Sequence, residues 1–202
     1  MAYSEFDLPT ALDKFGLTLI EASDAFAAVP PLPALTPGFR QLLAEYVPLA
    51  QTMNTEKARS ELIVMHVLVE VRRQLDGAIG IFSGAQFDVD RAVGLNGFCD
   101  FLLSLTPQQS VIRAPVVALV EAKNGDIAGG WGQCLAEMVA AQRFNAARGN
   151  SLPRIYGSVT TGTQWLFGVL DDKTATVDYH EYAIDEPERI CGIISAMARQ
   201  AI

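Results

Sequence analysis

Apolar positions recur every three or four residues in two long stretches of the chain, and this spacing predicts two helices. In the first stretch, residues 54–75, the positions Leu62, Met65 and Val69 fall on one face of a helix. The second stretch, residues 127–147, is rich in Ala, Leu, Met, Gln and Glu, which are strong helix formers. These two segments form the predicted helical framework of the fold.

Two shorter helices are predicted near the ends of the chain. One covers residues 36–47 and the other begins at residue 185, and each opens on a capping residue with a proline close behind it. Between residues 30 and 37 several prolines exclude a regular helix, so this segment is predicted to be a rigid connector. The roughly 28 residues before it are too few for an independent domain.

Strands are predicted where short apolar or alternating runs are bounded by Gly, Pro, Asn or Asp. The runs are 80–83, 87–89, 98–104, 114–122, 154–160, 164–170 and 176–182. Thr161-Gly162-Thr163 predicts a tight hairpin turn. Thr106-Pro107 is a turn signal that would make the third and fourth runs antiparallel neighbours. The whole order predicts one α/β domain with a mixed central β-sheet flanked by helices, with a core over about residues 55–170 and residues 1–54 as an N-terminal helical extension.

Composition narrows the class of protein. Half of the residues are hydrophobic, which is enough for a packed core, and the net charge is −8. A surface coated with basic residues is therefore excluded, and any contact with nucleic acid would need a local basic patch.

Cysteine spacing and hydropathy indicate the compartment. Cys99, Cys134 and Cys191 are far apart and form no C-x-x-C pair, so neither a disulfide framework nor a thiolate zinc site is predicted. The first residues show no secretory signal, and no apolar run is long enough to cross a bilayer. We therefore expect a protein of the cytoplasm with no membrane partner.

The stretch of residues 115–124 carries the candidate chemistry. Five consecutive apolar residues predict a strand buried on both faces, and it ends in Glu121 and Lys123, which a period of two places on one side of the sheet. Asp100 lies among apolar residues in the run predicted to pair with this strand. Two converging carboxylates favour a hard divalent cation, Mg²⁺ or Mn²⁺.

An acidic residue followed by a strand that ends in Glu-x-Lys resembles the active-site signature of the PD-(D/E)XK nuclease superfamily, whose fold is called restriction-endonuclease-like. Here Asp100 and Glu121-Ala-Lys123 stand at the signature positions. Some branches carry a Glu on the preceding helix, as Glu61 would be, and others carry a Gln early on the following helix, as Gln133 would be. The chain is also similar to an uncharacterised bacterial group within this superfamily.

The sequence departs from the signature at two positions. Cys99, rather than a proline, precedes Asp100. In the exonuclease branch a tyrosine follows the helical Gln by four residues, whereas this chain has Glu137 there.

The resemblance implies a metal-dependent nuclease that hydrolyses phosphodiester bonds of nucleic acid. Asp100, Glu121, the Ala122 carbonyl and Glu61 would hold Mg²⁺ or Mn²⁺, Lys123 would orient or help deprotonate the attacking water, and Gln133 would position water or phosphate. Six basic residues are candidates for contact with the nucleic-acid backbone: Lys57, Arg59, Arg72, Arg73, Arg113 and Arg143.

Other interpretations of the same residues stay open. Glu121 and Lys123 could form a structural ion pair, Asp100 could cap a turn, and Glu61 and Gln133 could be solvated helix residues, with Gln142 as a competing candidate. The chain could then be a non-catalytic member of the fold that acts as a binding or scaffold module, or an unrelated α/β domain that binds a small ligand. Self-association as a homodimer is compatible with the long apolar helix and the strands after it.

Overall fold

The computed structural model describes residues 2–200, and within them seven strands form a single sheet. The strands are β1 (Thr18–Ala22), β2 (Gly80–Gln86), β3 (Phe98–Ser104), β4 (Val116–Ala122), β5 (Arg154–Thr160), β6 (Gln164–Asp171) and β7 (Thr174–Ala183). Their order across the sheet is β1-β7-β6-β5-β4-β3-β2. The pairs β1–β7 and β4–β5 are parallel and the other four are antiparallel, so the sheet is mixed, as the sequence predicts.

Helices cover both faces of this sheet. They are α1 (Leu8–Phe15), α2 (Phe39–Met53), α3 (Glu56–Arg59), α4 (Met65–Gln74), α5 (Trp131–Ala146) and α6 (Pro187–Ala198), and a π-helical segment, Ser60–Val64, joins α3 to α4. Across the described residues, every helix is too short or too polar to span a bilayer.

Two hydrophobic clusters lie on opposite sides of the sheet. One buries Val67 of α4 and Ile193 of α6 against residues such as Val120 of β4. The other buries Phe15 of α1 and Leu135 of α5 with residues that include Leu119 of β4. Successive residues of β4 therefore pack into different layers, and this explains why the strand is apolar at nearly every position.

Most of the predicted elements are confirmed, with small shifts of their ends. The predicted pairing of the third and fourth runs is the antiparallel ladder between β3 and β4. Helix α2 starts two to three residues later than predicted, after Gly38, and continues past Pro48 to Met53. Residues 87–89 form no strand; the Phe87 amide bonds to the carbonyl of Gly97 in an irregular connection.

The first 54 residues contribute more than a helical extension. Residues 18–22 form β1, which pairs in parallel with β7 at one edge of the sheet, and α1 packs against α5. Strand β7 and helix α6 lie beyond residue 170 and belong to the same sheet and core. The packed unit is thus wider than the core of residues 55–170 that the sequence indicates.

Candidate functional site

The candidate site lies at the carboxyl ends of β4 and β5. These strands are parallel, and their ladder runs from Ala118 paired with Tyr156 to Ala122 paired with Thr160. One further backbone bond, from the Lys123 amide to the Thr160 carbonyl at 2.8 Å, extends it past the strand end. The backbone that carries Glu121 and Lys123 is therefore fixed by regular sheet hydrogen bonding.

Asp100 lies where β3 and β4 part. The paired residues of the ladder stop at Phe101 and Val120, one position before Asp100 on β3 and Glu121 on β4. Beyond that point the Ala122 amide donates to Oδ2 of Asp100 at 2.9 Å. The Asp100 carboxylate thus takes a backbone donor next to Glu121, and the two acids are neighbours.

Glu121 and Lys123 form an ion pair. Nζ of Lys123 lies 3.2 Å from Oε2 of Glu121, and the Glu121 side chain is fully buried whereas a quarter of the Lys123 side chain is exposed. This is the pairing that the period of two along a strand predicts. It satisfies one oxygen of a carboxylate that would be costly to bury alone.

Two polar residues of α5 complete the cluster. Nζ of Lys123 also donates to Oε1 of Gln133 at 3.3 Å, and Nε2 of Gln133 donates to Oε1 of Glu137 at 3.2 Å. The remaining oxygens, Oε1 of Glu121 and Oε2 of Glu137, are buried and lack a partner while both groups are ionised. A proton on Glu137 allows a hydrogen bond to Glu121, which closes a ring of four side chains.

Electrostatics in this ring favour a proton on the acids. Burial, and then the neighbouring charge of Asp100, raise the pKa of Glu121 to about 7. Burial, and then Glu121, hold the pKa of Glu137 well above its ordinary value. Partial burial lowers the pKa of Lys123, but contact with Glu121 outweighs it and the net shift is upward. The amine is therefore a cation at neutral pH beside two carboxyl groups that compete for a proton.

The sequence candidates do not all meet at this edge. Asp100, Glu121, Lys123 and Gln133 converge there, whereas Glu61 is 62% exposed and forms an ion pair with Lys57 one helical turn earlier. Its role as a metal ligand stays a prediction of the sequence.

The candidate phosphate-contacting residues are divided among separate elements. Arg59 donates to the Thr161 carbonyl, close to the end of β5. Arg72 instead donates to the carbonyl of Ile79, and Arg143 forms an ion pair with Asp90. The basic residues near the cluster are therefore few.

The N-terminal segment covers one side of the cluster. A Cβ at Gly132 would collide with the carbonyl oxygen of Phe6 and the backbone of Asp7, so only glycine allows the segment to pack onto the start of α5. Tyr3 is fully buried, and this burial raises the pKa of its phenol. Gly132 is thus a point of close backbone approach between the N-terminal segment and α5.

The site offers few side-chain groups that could bind a metal ion. No group of three or more His, Cys, Asp or Glu side chains within residues 2–200 is arranged to hold a metal ion. Two neighbouring carboxylates are present, Asp100 and Glu121, and Oε1 of Glu121 is buried without a partner while Glu121 and Glu137 are both ionised. Because Mg²⁺ is commonly held by one or two carboxylates and several waters, these donors fit such an ion and do not fit an all-protein cage.

Glu137 is the member of the cluster that the motif did not indicate. It lies in α5 between residues buried on nearly every side, such as Ala136 and Met138. A carboxyl group in a wholly buried helix must have a partner, and its spacing of four from Gln133 marks a neighbour on the same helix face. These two signals could have identified it.

No protein-family model, curated protein or solved structure matches this chain.

Proposed function

We propose that the protein is a metal-dependent nuclease that hydrolyses phosphodiester bonds at the edge where β3 and β4 part. The observation that carries this proposal is the adjacency of Asp100 and Glu121, with the Lys123 amine 3.2 Å from Glu121. Carboxylates side by side with a fixed cation are the groups that metal-assisted hydrolysis of a phosphate ester requires.

Each side chain has a role that follows from its contacts. Asp100 and Glu121, together with the Ala122 carbonyl, would hold a Mg²⁺ or Mn²⁺ ion. When bound, the ion polarises a phosphoryl oxygen and lowers the pKa of a coordinated water. Lys123 orients the attacking water and offsets negative charge that develops on the phosphate, and Gln133 holds the Lys123 amine from the helix side.

The experiment is cleavage of single-stranded and duplex DNA and RNA in Mg²⁺, with Glu121→Ala compared to the natural chain. We expect cleavage by the natural chain and its loss in the variant. Gln142→Ala is the control, since Gln142 lies on α5, the helix that also carries Gln133, but bonds to the carbonyl of Asp172 and not to the cluster. Cleavage that persists in Glu121→Ala would exclude these roles.

One observation favours a second candidate, a non-catalytic binding or scaffold module. Glu121 is fully buried and already paired with Lys123, as in a structural ion pair. Calorimetric titration with Mn²⁺ separates the two: a nuclease site binds the ion with a stoichiometry of about one, and a purely structural pair binds none.

A further inference from the structure

The hydrogen bonds around Lys123 have a fixed direction. A lysine amine has only donors, so it is the carbonyl oxygen of Gln133 that must face Lys123, at 3.3 Å. The amide nitrogen of Gln133 then points away from Lys123 and donates to Glu137 at 3.2 Å. The contact with Glu137 therefore anchors the nitrogen end of this amide while its carbonyl oxygen bonds to Lys123.

Burial of the Glu137 carboxyl group at this position costs free energy. Its side chain is fully buried in a helix whose neighbouring side chains are mostly apolar. A buried carboxyl group costs free energy unless it is hydrogen-bonded, and removal of one partner of a buried polar pair leaves the other without a partner. Glu137 bonds to Gln133, and Gln133 bonds to Lys123, so these contacts link the buried carboxyl group to the amine.

We propose that Glu137 is a positioning residue: it fixes the amide of Gln133, and the Gln133 carbonyl thereby holds the Lys123 amine against Glu121. Glu137 acts two hydrogen bonds away from the amine and touches no reacting atom. Its effect on catalysis rests on the proposed function, whereas its effect on the Lys123 amine does not.

Two variants of similar size separate hydrogen bonding from packing. Glu137→Gln keeps an acceptor for Gln133 and a donor for Glu121. Glu137→Met fills the same space but leaves Nε2 of Gln133 without its acceptor. A residue needed only for packing would tolerate both substitutions equally.

The direct readout is the ammonium signal of Lys123 in ¹H–¹⁵N NMR spectra of lysine side chains. The chain has four lysines, and Lys173 is an internal reference because its amine donates to the carbonyl of Phe15 at 2.9 Å. We expect the Lys123 signal in the natural chain and in Glu137→Gln, and its loss in Glu137→Met while the Lys173 signal remains.

A wild-type measurement covers the case in which Glu137→Met does not fold. A through-hydrogen-bond correlation from Nε2 of Gln133 to the carboxyl carbon of Glu137 is expected, and its absence would overturn the positioning role. Persistence of the Lys123 signal in a folded Glu137→Met protein would overturn it as well.

Nuclease kinetics give the catalytic consequence. We expect Glu137→Met to lower kcat about 10- to 100-fold with KM little changed, as loss of a supporting hydrogen bond does, and Glu137→Gln to restore most of it. If the natural chain cleaves no nucleic acid while the Lys123 signal behaves as expected, the proposed function fails and the positioning role stands.

Discussion

Oδ2 of Asp100 lies 2.9 Å from the backbone nitrogen of Ala122. The Asp100 carboxylate thereby takes a donor at the level where the β3–β4 ladder has stopped, and this bond keeps its charge beside Glu121. The Asp100 carboxylate thus has two roles: it accepts a backbone hydrogen bond from Ala122, and it places a negative charge beside Glu121.

Two substitutions of Asp100 separate the structural role from the electrostatic role. Asp100→Asn keeps an oxygen for the Ala122 amide, so the free energy of unfolding should stay within about 1 kcal/mol of the natural value. Asp100→Ala leaves that amide without its acceptor and should cost about 1–3 kcal/mol. Both should lose Mn²⁺ binding in calorimetry, because both lose the charge. Equal stability of the two variants in urea unfolding would show that the Ala122 amide does not depend on Asp100.

The raised pKa of Glu121 predicts a dependence of stability on pH. Because the folded chain holds this proton more tightly than the unfolded chain, the stabilisation is complete below about pH 4.5 and is lost as the pH rises to about 7. The loss is on the order of 3 kcal/mol, and Glu121→Gln should abolish it. Urea unfolding of the natural chain and of Glu121→Gln at pH 5 and pH 8 measures how much the free energy of unfolding of each protein changes with pH.

Glu61→Gln is the control for that comparison. Glu61 is mostly exposed and paired only with Lys57, so its substitution should change stability by no more than about 0.5 kcal/mol at either pH. A Glu121→Gln protein with the same pH slope as the natural chain would contradict the assignment of the raised pKa to Glu121.

Proton and cation should compete for Glu121. Below its pKa of about 7, Mn²⁺ affinity should fall about tenfold per pH unit, since one proton must leave for the ion to bind. Calorimetry between pH 5.5 and about 8 tests this. As a control, Glu61→Ala should leave the Mn²⁺ affinity unchanged, and a weaker affinity in that variant would indicate that Glu61 is a metal ligand. A Mn²⁺ affinity that does not change with pH would contradict competition between proton and cation at Glu121.

The close packing at Gly132 predicts that the effect of a substitution there on stability depends on the presence of the N-terminal segment. Gly132→Ala places a Cβ against the backbone of Phe6 and Asp7, and should cost about 1–3 kcal/mol of stability. In a chain without residues 1–7 the clash is gone, and the same substitution should be neutral or stabilise α5 by up to about 1 kcal/mol. A double-mutant cycle of unfolding free energies measures this, and additive effects would argue against the contact.

The parts of the fold that could be predicted from the sequence are those with a strong local pattern. β4 is apolar at consecutive positions because helices cover both of its faces, and the Thr-Gly-Thr turn at residues 161–163 marks the connection of β5 to β6. The same local pattern predicted that Glu121 and Lys123 would point the same way, and the ion pair agrees.

Other features depend on contacts that no local pattern contains. β1 is short and mostly exposed, and its place in the sheet comes from a partner about 155 residues away. The Glu137 contact with the cluster arises from the way α5 lies on the sheet. By contrast, α1 has local signals in the sequence, since Asp7 precedes it and caps it while Gly16 follows it and ends it in the left-handed region.

The parallel pairing of β1 with β7 sets an order of events during synthesis. At ribosomal speeds of about 5–20 residues per second, the first strand leaves the exit tunnel on the order of 10 s before its partner exists. For that interval it is an unpaired segment of the nascent chain, and the exposed Thr18 and Glu21 beside its apolar residues reduce its tendency to aggregate. The sheet is completed along this edge only after the residues of β7, Thr174–Ala183, have been synthesised.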